Sequence, residues 1–118
     1  MSEKTKMELK EAIEKAKNWA NDGWKVTFGH NAVEVNNLKA ALEMPRTFSF
    51  RQEAIAYWRN VEDISVEVTK YLEGALVDLE QNNLKAAENK LYFAQYFEKP
   101  LEKFTNTSKP LYQAVIAK

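Results

Sequence analysis

The sequence predicts an all-α fold: an antiparallel helical bundle of about four helices plus a short C-terminal helix, with one long central helix. Three observations carry this reading. Only three Gly and three Pro occur in 118 residues, few for a protein made of many short strands and turns. Apolar residues recur every three or four positions along most of the chain, the period of a helix with one buried face. One such stripe, from Phe50 to Ala75, is sustained over almost four heptads.

The first helix is expected to start at Thr5, where Thr5 and Glu8 fit a capping box. Leu9, Ala12, Ile13, Ala16, Trp19 and Ala20 form its apolar stripe, with Lys10, Glu11, Glu14, Lys15 and Lys17 opposite. Asn21, Asp22 and Gly23 end it, Gly being the residue that most readily takes the left-handed conformation of a helix C-terminus. From Trp24 to His30 the period changes to two, as Trp24, Val26 and Phe28 alternate with Lys25 and Thr27. With no second strand candidate to pair with it, this stretch reads as an extended connection lying against the bundle. A second helix is expected from about Ala32 to Met44. Asn31 and Glu34 make its cap, Val35, Leu38, Ala41 and Leu42 its stripe, and Pro45 its end.

The third helix dominates. Ser49 and Gln52 give another capping box. Phe50, Ala54, Tyr57, Val61, Ile64, Val68, Tyr71 and Ala75 then advance in alternating steps of four and three. Ile55, Trp58, Leu72, Leu76 and Leu79 widen this seam into a face able to contact two neighbours. Continuous from Phe50 to Gln81, the helix would be about 48 Å long. Gly74 weakens it by about 1 kcal/mol relative to Ala. Asn82 and Asn83 turn the chain into a fourth helix whose stripe is Leu84, Ala87, Leu91, Ala94, Phe97, Leu101 and Phe104. Pro100 should bend this helix without ending it, and the short turn makes the two helices antiparallel. After a polar break at Thr105–Ser108, Pro110 suits the first turn of a last helix from Lys109 to about Ala117.

Residues 36–41 and 82–87 both read Asn-Asn-Leu-Lys-Ala-Ala, and the match does not extend into the flanks. Asn83, Leu84, Ala87, Ala94 and Pro100 resemble the second half of a tetratricopeptide repeat. That match covers under a fifth of the chain and no tandem copies follow, so the resemblance implies a helical hairpin and not a repeat array.

The length suits one domain spanning residues 1–118. Seventeen basic and seventeen acidic residues cancel, so the global charge signal of a nucleic-acid binder is absent. Zero net charge also gives no protection against self-association, which favours a homo-oligomer. The absence of Cys excludes disulfides, thiolate metal sites and thiol nucleophiles. Met1 to Lys17 contains no apolar core of a signal peptide, and no apolar run approaches the ~20 residues of a membrane span. The expected setting is cytoplasmic, with no membrane partner.

His30 is the only histidine. It could serve as a metal or haem ligand or a general base, but reads better as a loop residue against one end of the bundle. One histidine cannot supply the paired Glu-x-x-His motifs of a di-iron bundle. Glu53, Glu62, Asp63, Glu67, Glu73, Asp78 and Glu80 are plentiful carboxylates, and most fall off the apolar seam, where solvated charge is expected. Scattered glycines and serines form neither a phosphate loop nor a nucleophile elbow. The expectation is therefore no catalytic residue, no cofactor and no metal.

The aromatic residues are more suggestive. Tyr92, Phe93, Tyr96 and Phe97 lie within one and a half turns, so their rings cannot all enter one seam. The plainer reading is that the fourth helix is central and packs these rings on helices at several sides; against it, Tyr92, Phe93 and Tyr96, with Trp58 and Trp24, are candidates for binding a protein partner or a second copy of the chain, aromatic rings being enriched at interface hot spots. The alternative is a small-molecule carrier or sensor. Its apolar pocket would be lined by Trp19, Trp24, Phe28, Tyr57 and Tyr96, with His30 at the mouth.

Overall fold

A computed structural model describes residues 3–30 and 33–117. Of the described residues 68% are helical, and among them the one sheet has just two short strands, so the all-α class holds. Among the described residues there are five α-helices: α1 (Glu3–Lys17), α2 (Leu38–Leu42), α3 (Arg51–Glu80), α4 (Leu84–Glu98) and α5 (Ser108–Ile116). No helix among the described residues is long and apolar enough to cross a membrane. Two compact units divide the chain, residues 18–65 and residues 1–17 with 66–118, and α3 contributes to both.

Helix α3 runs for 30 residues, about 45 Å. The heptad period is present, but its centre is rotated from the predicted seam. Ala54, Trp58, Val61, Ser65, Val68, Leu72, Ala75 and Leu79 are buried, again in alternating steps of four and three. Trp58, Leu72 and Leu79, expected on the flank, take the centre, while Tyr57, Ile64 and Tyr71 are half-buried at its edge. Adjacent apolar positions make the stripe wide, and only the packing partners decide which line of it faces inward. The helix begins at Arg51, two residues after the expected cap at Ser49. Backbone bonds close its first turn, Arg51 N–H to Phe48 O at 3.1 Å and Ala54 N–H to Phe50 O at 3.0 Å.

In the unit of residues 18–65, the extended stretch has a partner after all. Strand β1 (Val26–Phe28) pairs antiparallel with β2 (Val33–Val35), in the register Val26↔Val35, Thr27↔Glu34 and Phe28↔Val33. Part of the predicted second helix is therefore strand, as the β-branched Val33 and Val35 prefer. The proposed cap at Asn31 and the start at Ala32 lie outside the described residues, and Glu34 is in β2. Helix α2 shrinks to five residues, capped by Asn37. Gly29, in the hairpin turn, has φ +79°, the left-handed region assigned beforehand to Gly23. Gly23 serves a close approach instead, since a Cβ there would lie 2.7 Å from the Trp58 ring. The buried residues of this unit are Trp19, Ala20, Phe28, Val35, Ala41, Ala54, Ile55, Trp58 and Val61, with Ser65.

In the other unit, α1 buries Leu9, Ala12, Ile13 and Ala16 at helical spacing. Thr5 is inside α1 and buried instead of capping it, and the helix ends at Lys17, before Trp19 and Ala20. Helices α3 and α4 run antiparallel here: Asp78 meets Lys90 near the turn, and Tyr71 stacks on Phe97 farther from it. Asp78, counted among the solvated carboxylates, is 7% exposed and bonded to Lys90. The Lys90 side chain lies over Gly74, where a Cβ would come within 2.9 Å of it, so the glycine in α3 leaves room for that pair. Helix α5 packs against both α4 and α1.

Candidate functional site

Helix α4 positions the candidate site by the way it divides its two faces. Its buried residues are Ala87, Leu91, Ala94 and Glu98, continued by Leu101. The sequence stripe went through Phe97 at this point; the structure buries its neighbour Glu98, a carboxylate, at 3% exposure. Burying a carboxylate is costly unless it is hydrogen-bonded, and here three donors converge on it. Its Oε2 accepts from Thr105 Oγ1 at 2.6 Å and Thr107 N–H at 2.7 Å, and its Oε1 from Ser108 N–H at 2.9 Å. Two of those donors are backbone groups at the start of α5, whose own Thr107 side chain provides no cap. Glu98 therefore caps α5 from outside, at the helix end where the macrodipole favours negative charge. Nothing in the hydrophobic pattern marks it. The polar run Thr105–Ser108, rich in donors and followed by a helix, is the one signal that an acceptor is needed nearby.

The α-helix ends at Glu98, before Pro100. Residues Lys99–Leu101 form a 3₁₀ turn with the proline near its start, and Phe104 ends up exposed. This corrects the expected bent continuation: proline removes an α-helical hydrogen bond, and a 3₁₀ turn accommodates that loss.

With Glu98 inward, the rings of α4 are displaced outward and sideways. Tyr92, Phe93 and Tyr96 are 52%, 46% and 64% exposed. They belong to a continuous series of six rings. Tyr112 contacts Tyr92 (5.9 Å between centroids), Tyr92 contacts Phe93 (5.7 Å), and Phe93 stacks on Tyr71 (5.7 Å). Tyr71 stacks on Phe97 (5.6 Å, planes 12° apart), and Phe97 meets Tyr96 edge-on (5.8 Å). Neighbouring rings hold one another in place, so this exposed apolar surface is pre-organised.

Beside the rings lies a cavity of about 330 Å³, lined by Tyr92, Gln95, Tyr96, Glu98, Lys99, Glu102, Thr105, Asn106 and Lys109. That volume falls at the lower end of the range for ligand pockets, and the lining is mainly polar. Lys70 sits 5.7 Å from the centre of the Tyr71 ring.

The remaining candidates lie in the other unit. Trp58 is wholly buried, a core residue and not an exposed contact. Trp24 is half-buried against it, rings 5.5 Å apart, and its Nε1–H donates to the Tyr57 hydroxyl at 2.6 Å. Tyr57 in turn meets Trp58 edge-on at 5.1 Å and Phe28 at 6.1 Å. Burial pushes the Tyr57 hydroxyl above its ordinary pKa of 10.0, opposed by the Trp24 hydrogen bond, which favours the phenolate. The rings expected to line a pocket thus pack on one another, with Trp19 buried; Tyr96 belongs to the other unit. His30 lies in the hairpin turn, edge-on to Phe50 at 6.3 Å. No group of three or more potential metal ligands occurs among the described residues. No protein-family model, curated protein or solved structure matches this chain.

Proposed function

We propose that the protein is not an enzyme and acts by binding another protein, a second copy of itself included, through the aromatic face of α4. The observation that supports this reading is the six-ring series with Tyr92, Phe93 and Tyr96 exposed together, in the part of the sequence where interface aromatics were expected. Solvent-facing helix positions normally carry charge, and three large rings there lose water contact favourably only against a partner. Zero net charge leaves no overall repulsion between copies. A cysteine-free chain fits a cytoplasmic setting, which belongs to the proposal.

A photo-crosslinking side chain placed at Tyr96 tests the reading. Illumination in cells is expected to give a discrete protein adduct, with the same chain or another. The adduct should be lost when Tyr92 and Phe93 are changed to Ser. Absence of any adduct, together with a monomer at every concentration in sedimentation, would overturn it.

A further inference from the structure

The charges around the ring series narrow the chemistry of the partner. The lysines within α4 are already committed: Lys85 pairs with Glu88 at 3.8 Å and Lys90 with Asp78. Three other lysines border the aromatic face. Lys99 and Lys109 line the cavity together with Tyr92 and Tyr96, and Lys70 lies over Tyr71. None of these three makes an ion pair with a described residue, and all three are exposed. Two carboxylates, Glu98 and Glu102, share the lining with Lys99 and Lys109. Glu98 is buried and accepts from Thr105, Thr107 and Ser108, which leaves Glu102 as the exposed carboxylate of the lining.

The aromatic face is thus an apolar strip with uncommitted cations along its edge and a small polar hollow at one end. Complementarity requires a partner that offers both apolar side chains and negative charge. We infer that the α4 face binds a protein segment that combines carboxylates with large apolar side chains, the latter lying on Tyr92, Phe93 and Tyr96 and a carboxylate entering the hollow between Lys99 and Lys109. The amides of Gln95 and Asn106, also on the hollow, can bond the backbone of such a segment.

Rings beside lysines also describe a platform for single-stranded nucleic acid. The details favour the peptide. A nucleic-acid groove needs cations tracking a regular run of phosphates, and three lysines beside Glu98 and Glu102 do not form one. A single carboxylate needs no more than the Lys99–Lys109 pair.

This inference rests on the protein-binding reading of the same face, and its test separates the two. Titration calorimetry compares a blocked heptapeptide alternating glutamate with phenylalanine and leucine, its glutamine counterpart, and a single-stranded oligothymidylate. The glutamate peptide is expected to bind at least about tenfold tighter than the glutamine form, the ratio of one net charge contact. Binding should weaken about tenfold in K99E/K109E and in Y96A, with circular dichroism confirming the fold of each variant. Raising salt to about 0.3 M should weaken the glutamate peptide more than the glutamine one. Equal affinity for the two peptides, indifference to K99E/K109E, or tighter binding of the oligothymidylate would each overturn the inference. If any of these occurs while Tyr96 still gives a discrete adduct, the partner chemistry is wrong and the binding face stands. If the adduct is missing too, both fall.

Discussion

The same six residues, Asn-Asn-Leu-Lys-Ala-Ala, open both α2 and α4, yet one helix has five residues and the other fifteen. What the copies share is local. In each, the second Asn is the N-cap and its side chain accepts from the backbone N–H three residues on, Asn37 from Ala40 at 2.7 Å and Asn83 from Ala86 at 3.3 Å. In each, the last Ala is fully buried. The echo is a repeated helix start, and capping chemistry suffices to explain it.

The copies part where their contexts differ. The first Asn has φ +59° at Asn82, closing α3 in the left-handed region, whereas Asn36 is not in that region and its carbonyl accepts from Gly23 N–H. Seven residues after the helix's first Leu, α4 has Leu91 and α2 has Pro45. Leu91 is fully buried and carries the stripe onward; Pro45 cannot continue a helix. The ends differ in kind as well. The last carbonyls around α2 are answered by the Arg51 side chain, which donates to Met44 O at 2.9 Å and to Leu42 O at 3.0 Å. At the end of α4, Glu98 faces a new helix and supplies its cap. A helix start is written in a few adjacent residues, but helix length depends on what lies one turn beyond the start and on what packs against it.

The largest expected effect separates the positions at which the copies diverge. Leu91→Ala should cost about 2–5 kcal/mol, the range for a fully buried Leu. Pro45→Ala, at an exposed position, should change stability by less than about 1 kcal/mol. Urea unfolding of the two variants measures this, and equal costs would show that the stripe does not set the length of α4. Next comes the distal end of α4. Glu98→Gln replaces a charged acceptor of three hydrogen bonds, one amide group now facing donors, and should cost about 1.5–3 kcal/mol. Hydrogen exchange should show the loss concentrated in the first turn of α5; a uniform loss would contradict the external cap.

Arg51→Ala should cost about 1 kcal/mol, because it frees two carbonyls that water can partly reach. The increase in exchange should be confined to α2 and its following turn. Smallest and closest to the shared motif are the caps. Asn37→Ala and Asn83→Ala should each cost about 1 kcal/mol in thermal or urea unfolding. The loss at Asn37 should be the larger, since its bond is shorter. An unchanged stability in either variant would remove capping as the meaning of the echo.

Much of the fold was legible because it is local. The period of α3 is visible in residues three and four apart, and its ends were placed within a residue, at Phe50 and Gln81 against Arg51 and Glu80. The crowding of rings on α4 is legible too, since Tyr92, Phe93 and Tyr96 are too close in sequence to share one buried face; their exposure is not, because packing against several helices would satisfy the same pattern. The hairpin is hidden because Val35 fits the stripe of a helix over residues 32–44, which takes Val33 with it. Their β-branching and the turn glycine, Gly29, were the available signals. Trp58 was placed at an interface on residue type, although a seam that wide could equally well centre on it.

By itself, the sequence determined a helical chain, the position of its longest helix, the Asn-Asn turn before α4 and the crowding of rings along that helix. All of these follow from interactions between residues within about one turn of each other. The tertiary structure alone decided which line of each stripe faces inward. It placed Glu98 in the interior where the pattern pointed to Phe97, because the donors that stabilise a buried carboxylate come from the start of another helix. With Glu98 inward, Phe97 is half-buried at the edge of the core, stacked on Tyr71.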